Sequence, residues 1–104
     1  MTLRVDLADR SYHIDIEHDV LGRFNELCPV DLDGRSVFIL CDRNTEHYAR
    51  ILTSSLFAGA SPAAVHVLPL PPGEGSKTLR GYETVLDWML SHGVSRSSLL
   101  LAVG

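Results

Sequence analysis

The segment PPGEGSK, residues 71–77, places one acidic and one basic side chain on a loop of prolines and glycines. Glu74 can accept hydrogen bonds from two neighbouring sugar hydroxyls. Lys77 is predicted to lie at the start of a helix, where its charge opposes the helix dipole, which points to an anionic or polar ligand. Gly73 and Gly75 let the backbone approach a ligand, and the prolines stiffen the loop. The alternative interpretation is a solvated ion pair on a plain connection.

Two further segments carry polar or backbone groups at the predicted ends of strands. Asp42 and Asn44 follow the apolar run VFILC, and the carboxylate of Asp42 can accept hydrogen bonds from a ribose or a base. Gly104 ends the apolar run SLLLAVG. Because ligands bind at the carboxyl ends of parallel strands, we expect these segments and the 71–77 loop to converge on one site. The alternative is that Asp42 and Asn44 only cap the following helix.

The amino-terminal part of the chain predicts a hairpin. LRVDL (3–7) and YHIDIE (12–17) alternate apolar and polar residues around a polar turn, which is typical of two antiparallel strands with one buried face. The next segment, HDVLGRFNELC (18–28), has a weak helical pattern interrupted by Gly22.

The rest of the chain alternates buried strands with helices. SVFILCD (36–42), AAVHVLPL (63–70) and SLLLAVG (98–104) are apolar without alternation, which indicates strands covered on both faces. A helix is predicted from an N-cap at Asn44 to a stop at Gly59, and a second from a cap at Ser76 to about His92. The predicted inward residues of the first helix are Tyr48, Ile51, Leu52, Ser55 and Leu56, and those of the second are Leu79, Tyr82, Leu86, Met89 and Leu90.

This order predicts an α/β fold: a Rossmann-like, three-layer parallel sheet with helices on both faces, preceded by an N-terminal β-hairpin. No linker or repeat divides residues 1–104, so a single domain is expected. Because the chain stops on a buried strand at Gly104, we expect it to be the front part of a longer protein.

Composition excludes several classes of function. The net charge of −4 provides no basic surface for nucleic acid, and no apolar run reaches the roughly 20 residues of a membrane helix. The start MTLRVDLADR lacks a signal core, so a cytoplasmic location is expected. Cys28 and Cys41 form no CxxC motif and the histidines no HxH or HExxH motif, so no metal ligand and no catalytic residue is predicted in this chain.

Three segments together resemble the amino-terminal region of 3-dehydroquinate synthase: DRNTEHYARIL, PPGEGSKTLRGYETVLDWML and GVSRSSLLLAVG. The family has a strand ending in D-x-N, a P-x-G-E-x-x-K loop, and a strand that enters a glycine-rich turn. The resemblance implies an NAD-binding domain. In it, Asp42 and Asn44 lie by the adenosine of NAD, Glu74 and Lys77 hold ribose hydroxyls with Gly73 beside them, and Gly104 begins the turn that passes the pyrophosphate.

The resemblance also implies the reaction of the complete protein. That reaction converts 3-deoxy-arabino-heptulosonate 7-phosphate to 3-dehydroquinate and phosphate in the shikimate pathway, with NAD and a divalent metal, zinc or cobalt. The metal and substrate ligands of the family lie in a helical carboxy-terminal domain that this sequence does not include. We therefore expect the 104 residues alone to be inactive and to bind NAD weakly if at all. The resemblance also allows a homodimer.

Two alternatives stay open. One is a cyclase of the same superfamily that acts on another sugar phosphate. The other is a stand-alone α/β nucleotide-binding or regulatory module. A receiver-like module is disfavoured because Asp42 is the only acid at a strand end in the parallel part and no lysine follows SLLLAVG.

Overall fold

The computed structural model describes residues 1–104. Short 3₁₀ helices lie at Ala8–Arg10 and Glu74–Ser76. The strands are β1 (Thr2–Val5), β2 (Tyr12–Asp15), β3 (Ser36–Asp42), β4 (Ala64–Leu70) and β5 (Leu99–Ala102), and the helices are α1 (Phe24–Leu27), α2 (Glu46–Gly59) and α3 (Leu79–Ser91).

The first two strands form the predicted antiparallel hairpin. Leu3 pairs with Ile14 and Val5 with Tyr12, so the apolar residues of both strands share one face. The hairpin is a separate two-stranded sheet.

The other three strands form a parallel sheet in the order β4-β3-β5. The central strand β3 is apolar from Val37 to Cys41, which fits its position between helices on both faces. On one face, Val37 and Ile39 pack in a buried cluster with Ala49, Leu52 and Leu56 of α2. This arrangement confirms the predicted α/β class with a parallel sheet and an N-terminal hairpin.

The second face of the sheet carries an aromatic cluster under α3. Phe38 is fully buried, and its ring lies 5.2 Å from that of Trp88 in an edge-to-face arrangement. His66 of β4 lies 5.1 Å from Phe38 and 4.4 Å from His92, measured between ring centroids. These contacts hold the carboxyl end of α3 against the sheet.

Several local predictions were wrong. The helix predicted over residues 18–28 contains only α1, because the preceding residues form turns in which Asp19 has a φ of +53°. Thr45, rather than Asn44, precedes α2, and Thr78, rather than Ser76, caps α3. In α2, Tyr48 and Ile51 are exposed although they were predicted to face inward.

Candidate functional site

The carboxyl ends of β3, β4 and β5 meet at one edge of the sheet. Asp42 pairs with Leu70, and the amide of Arg43 donates to the carbonyl of Leu70 at 3.1 Å. The amide of Val103 donates to the carbonyl of Leu40 at 2.8 Å. The three segments predicted to converge are therefore adjacent.

Asp42 shapes the turn that follows β3. Its Oδ1 atom accepts hydrogen bonds from the amides of Asn44 and Thr45, at 2.8 and 2.9 Å. The turn therefore uses one carboxylate oxygen, and Oδ2 has no protein partner. Asp42 can therefore shape the turn with Oδ1 and bind a ligand with Oδ2, so the two roles considered for it are compatible. The side chain of Asn44 is exposed and makes no hydrogen bond within the chain.

Thr45 links the ends of two strands. Its Oγ1 atom accepts from the amide of Asp42 at 3.1 Å and lies 3.1 Å from the carbonyl oxygen of Val103, to which it can donate. The link fixes the residue before Gly104 relative to Asp42. No pattern in the sequence indicated this role, because the partners are 58 residues apart.

The 71–77 loop has a defined shape. Gly73 has a φ of +91° and a ψ of 177°, a conformation that is essentially restricted to glycine. The hydroxyl of Ser76 donates to the carbonyl of Pro71 and closes the loop. The loop therefore presents a fixed backbone at the edge of the sheet.

Glu74 and Lys77 pair with each other on this loop. Nζ of Lys77 donates to Oε1 of Glu74 at 2.9 Å, and their side chains are 85% and 72% exposed. An ion pair this exposed contributes little to stability, so a ligand could displace it at small cost. Lys77 precedes the cap residue Thr78 and so lies just outside α3, not within its first turn.

Gly81 brings the loop close to α3. A Cβ atom at this position would lie 2.1 Å from the carbonyl oxygen of Ser76, which is closer than real contacts allow. The hydroxyl of Thr78 accepts from the amide of Gly81 at 3.1 Å. Gly81 and Thr78 therefore set the position of the loop, and neither was among the predicted site residues.

A groove of about 930 Å³ lies between the loop, α3 and the ends of β3 and β5. Four of the six predicted site residues line it: Asp42, Gly73, Lys77 and Gly104. Asn44 and Glu74 lie outside its lining. The apolar part of the wall comprises Leu40, Cys41, Leu70, Leu79, Tyr82, Val85, Leu86, Met89, Leu100, Ala102 and Val103. The groove thus joins a polar rim to a long apolar wall.

The prediction for α3 was wrong at four residues, Leu79, Tyr82, Leu86 and Leu90, which are exposed although they were predicted to face inward. The open groove explains three of them, since Leu79, Tyr82 and Leu86 line it and Leu90 does not. Met89 is half-buried. The helix rests on the sheet near Trp88, and the side of α3 that faces β5 has no covering element.

Two groups have displaced pKa values. Burial raises the pKa of the Cys41 thiol, and the charges of Glu46 and Asp42 add to the effect while Arg50 opposes it. Burial lowers the pKa of His66, and His92 lowers it further. Cys41 is among the residues that line the groove, next to Asp42, and His66 is not. No three His, Cys, Asp or Glu side chains are grouped to hold a metal ion.

Comparison with known proteins shows that the sequence of the chain is similar to those of one enzyme family. No family model matches the chain. The 3-dehydroquinate synthase of Picosynechococcus sp. is 32% identical over 104 residues, and that of Jannaschia sp. is 30% identical over 105 residues; each match covers 99% of this chain. The chain is a relative of the 3-dehydroquinate synthases. The resemblance found in the sequence is thereby confirmed.

A solved structure supports the fold. A 2-deoxy-scyllo-inosose synthase, complexed with carbaglucose-6-phosphate, NAD⁺ and Co²⁺, matches 96% of this chain with a TM-score of 0.75 and 20% sequence identity. At this identity the match establishes the fold and not the activity.

The chain spans 28% of the length of the two synthases and 26% of the solved chain. None of the helices combines the length and the hydropathy that crossing a membrane requires.

Proposed function

We propose that this chain is the NAD-binding part of a 3-dehydroquinate synthase. The observation that supports the proposal best is the match to these synthases along the whole chain. In addition, the groove at the sheet edge is lined by four of the residues that the resemblance assigns to NAD binding. The match in fold to a synthase solved with NAD⁺ agrees with it.

The groove has the chemical features that a dinucleotide needs. Oδ2 of Asp42 is an acceptor without a protein partner, and Lys77 is an exposed cation that also lines the groove. A Cβ added at Gly73 would meet nothing within 4 Å, so the backbone there is open to a ligand. The apolar wall offers a surface for a base or a nicotinamide ring.

In this proposal the chain binds and orients the cofactor and contains no catalytic residue. Asp42 and Asn44 would lie by the adenosine of NAD, and Glu74 and Lys77 would hold ribose hydroxyls with Gly73 beside them. Gly104 would begin the turn that passes the pyrophosphate. When bound, NAD would accept a hydride from the ring carbon that bears a hydroxyl group in the sugar-phosphate substrate. The metal, zinc or cobalt, and the substrate are bound by the remainder of the complete protein. A cytoplasmic location and a place in the shikimate pathway follow from the same proposal.

Activity is tested with a polypeptide that continues past Gly104. With NAD⁺ and Co²⁺ or Zn²⁺, release of phosphate from 3-deoxy-arabino-heptulosonate 7-phosphate is expected, and none from the 104 residues alone. Turnover of a hexose 6-phosphate instead would favour another sugar-phosphate cyclase. Turnover by the 104 residues alone would contradict the proposed division of the protein.

Cofactor binding is tested through Lys77, which is the single lysine in the chain. Amine acylation followed by mass spectrometry then reports on Lys77 and the amino terminus only. NAD⁺ is expected to slow the acylation of Lys77. It is expected not to change the acylation of the amino terminus, which does not line the groove and so serves as the internal control. If NAD⁺ changed the acylation rate of neither Lys77 nor the amino terminus, that result would contradict the assignment of Lys77.

A further inference from the structure

Two histidines from distant parts of the chain meet at the carboxyl end of α3. His66 lies in β4 and His92 is the C-cap residue of α3, and their ring centroids are 4.4 Å apart with an angle of 49° between the rings. Val65 and Val67 pack toward α2, so His66 between them points to the other face of the sheet, where α3 lies. Neither histidine lines the groove at the sheet edge, so the function proposed for that groove gives this pair no role.

Each histidine has a ring nitrogen that is available to a ligand. Nδ1 of His92 lies 2.9 Å from the carbonyl oxygen of Trp88, and the tautomer that donates to this oxygen leaves Nε2 with a free lone pair. The nitrogens of His66 have no partner in the chain and are not among the buried atoms, so solvent reaches them. Burial and His92 lower the pKa of His66, which keeps its ring neutral at pH 7, and the neutral form is the one that binds a metal ion.

The separation of the two rings fits two ligands of one metal ion. An ion about 2.0–2.1 Å from a nitrogen of an imidazole lies roughly 3.2 Å from the centre of that ring. Two such rings with an angle of about 90° at the metal have centres roughly 4.5 Å apart. This value matches the observed 4.4 Å. We propose that His66 and His92 together bind a divalent transition-metal ion of tetragonal or octahedral geometry, namely Cu²⁺ or Ni²⁺.

The choice of metal follows from the ligands and from the angle. Imidazole nitrogen suits Cu²⁺, Ni²⁺ and Zn²⁺, and Cu²⁺ has the highest affinity of the three for a given set of ligands. Tetrahedral Zn²⁺ would separate the ring centres by roughly 5.2 Å, which fits less well. No third His, Cys, Asp or Glu side chain is grouped with the pair, so water completes the coordination.

A metal ion at this position would join β4 to the end of α3. The carboxyl end of the helix is otherwise held by aromatic contacts, in which the ring of Trp88 lies 5.2 Å from that of Phe38 and 6.2 Å from that of His92, measured between centroids. Because the unfolded chain does not hold His66 and His92 together, the ion binds the folded chain more tightly and stabilises it.

Fluorescence of Trp88, the single tryptophan of the chain, tests the site with Cu²⁺, which quenches a nearby indole. In a Cys28→Ser background, saturable quenching with one ion per chain is expected. His66→Asn and His92→Asn should each weaken the apparent affinity at least about tenfold, because each removes one of two ligands that act together. The matched control is His47→Asn, an exposed histidine of α2 beside Tyr48, which should leave the titration unchanged. Equal titrations in all variants, or quenching that does not saturate, would overturn the proposal.

Ni²⁺, which does not oxidise thiols, tests the site in the unchanged chain. At about 1 mM it is expected to raise the Tm by at least about 5 °C in thermal unfolding followed by circular dichroism. In the ¹⁵N-labelled chain, substoichiometric Ni²⁺ should broaden the amide signals of His66, Trp88 and His92 before those of His13, His18 and His47. This measurement needs no variant, so it decides the question even if a substitution impairs folding. An unchanged Tm, or broadening centred on another histidine, would refute the site.

Discussion

The hydroxyl of Thr45 is expected to hold the ends of β3 and β5 together. Thr45→Val keeps the shape of the side chain and removes the oxygen. The change leaves the amide of Asp42 without its acceptor at 3.1 Å and the carbonyl of Val103 without its donor at 3.1 Å. Both groups lie at the rim of the groove, so the effect is expected on stability and on the geometry of the site.

The magnitude follows from the two groups that lose a partner. An unsatisfied buried polar group costs about 1–3 kcal/mol. Thr45 and Asp42 are half-buried, so water replaces part of the loss and the total is expected at about 1–3 kcal/mol for the pair. For a domain of this size that corresponds to a decrease in Tm of about 5–20 °C. Thermal unfolding followed by circular dichroism measures the change.

Thr45→Ser is the matched control, because it keeps the hydroxyl and loses only a methyl group. It should retain most of the stability, and amide exchange at Asp42 should accelerate in Thr45→Val alone. A loss below about 0.5 kcal/mol in Thr45→Val, or equal losses in the two variants, would refute the proposed role.

Three further predictions concern the loop, the core and the histidine pair. Gly73→Ala should destabilise the chain by about 1–3 kcal/mol in urea unfolding, because φ is +91° there; an unchanged midpoint would contradict the loop conformation. Phe38→Ala should cost about 3–5 kcal/mol and shift the fluorescence of Trp88 to longer wavelength, while an unshifted spectrum would argue against their contact. Because the folded-state pKa of His66 lies below the unfolded value of 6.5, the unfolded chain binds more protons and stability falls as pH decreases below about 6.5. His66→Gln should reduce that fall between pH 7 and 5.5, and an identical pH profile would show that His66 does not contribute.

The sequence was informative wherever burial decides the pattern. The continuous apolar run of β3 predicted where the strand begins and ends and that both of its faces are covered. The structure agrees, because Val37 packs toward α2 and Phe38 toward α3. The alternation in the hairpin likewise predicted its two strands. The convergence of Asp42, Gly73 and Gly104 followed from the rule that parallel strands end at one edge.

The sequence was less informative where the outcome depends on neighbours. An amphipathic stripe shows which residues of α3 could be buried, but not whether an element covers them, and Leu79 and Leu90 are exposed. Several residues near each helix start could serve as the cap, so the choice of Thr78 depends on the backbone path around Gly81. The link from Thr45 to Val103 joins distant segments and leaves no local signal.

The central claim is that the groove at the sheet edge binds NAD⁺. The most direct test is a titration of the ¹⁵N-labelled chain with millimolar NAD⁺, followed by amide chemical shifts. The account predicts weak, saturable shifts at Asp42, Gly73, Lys77 and Gly104, and none at the polar groove on the far side near Asn25 and Gly59. Shifts centred on the second groove, or an absence of shifts also in a polypeptide that continues past Gly104, would contradict it.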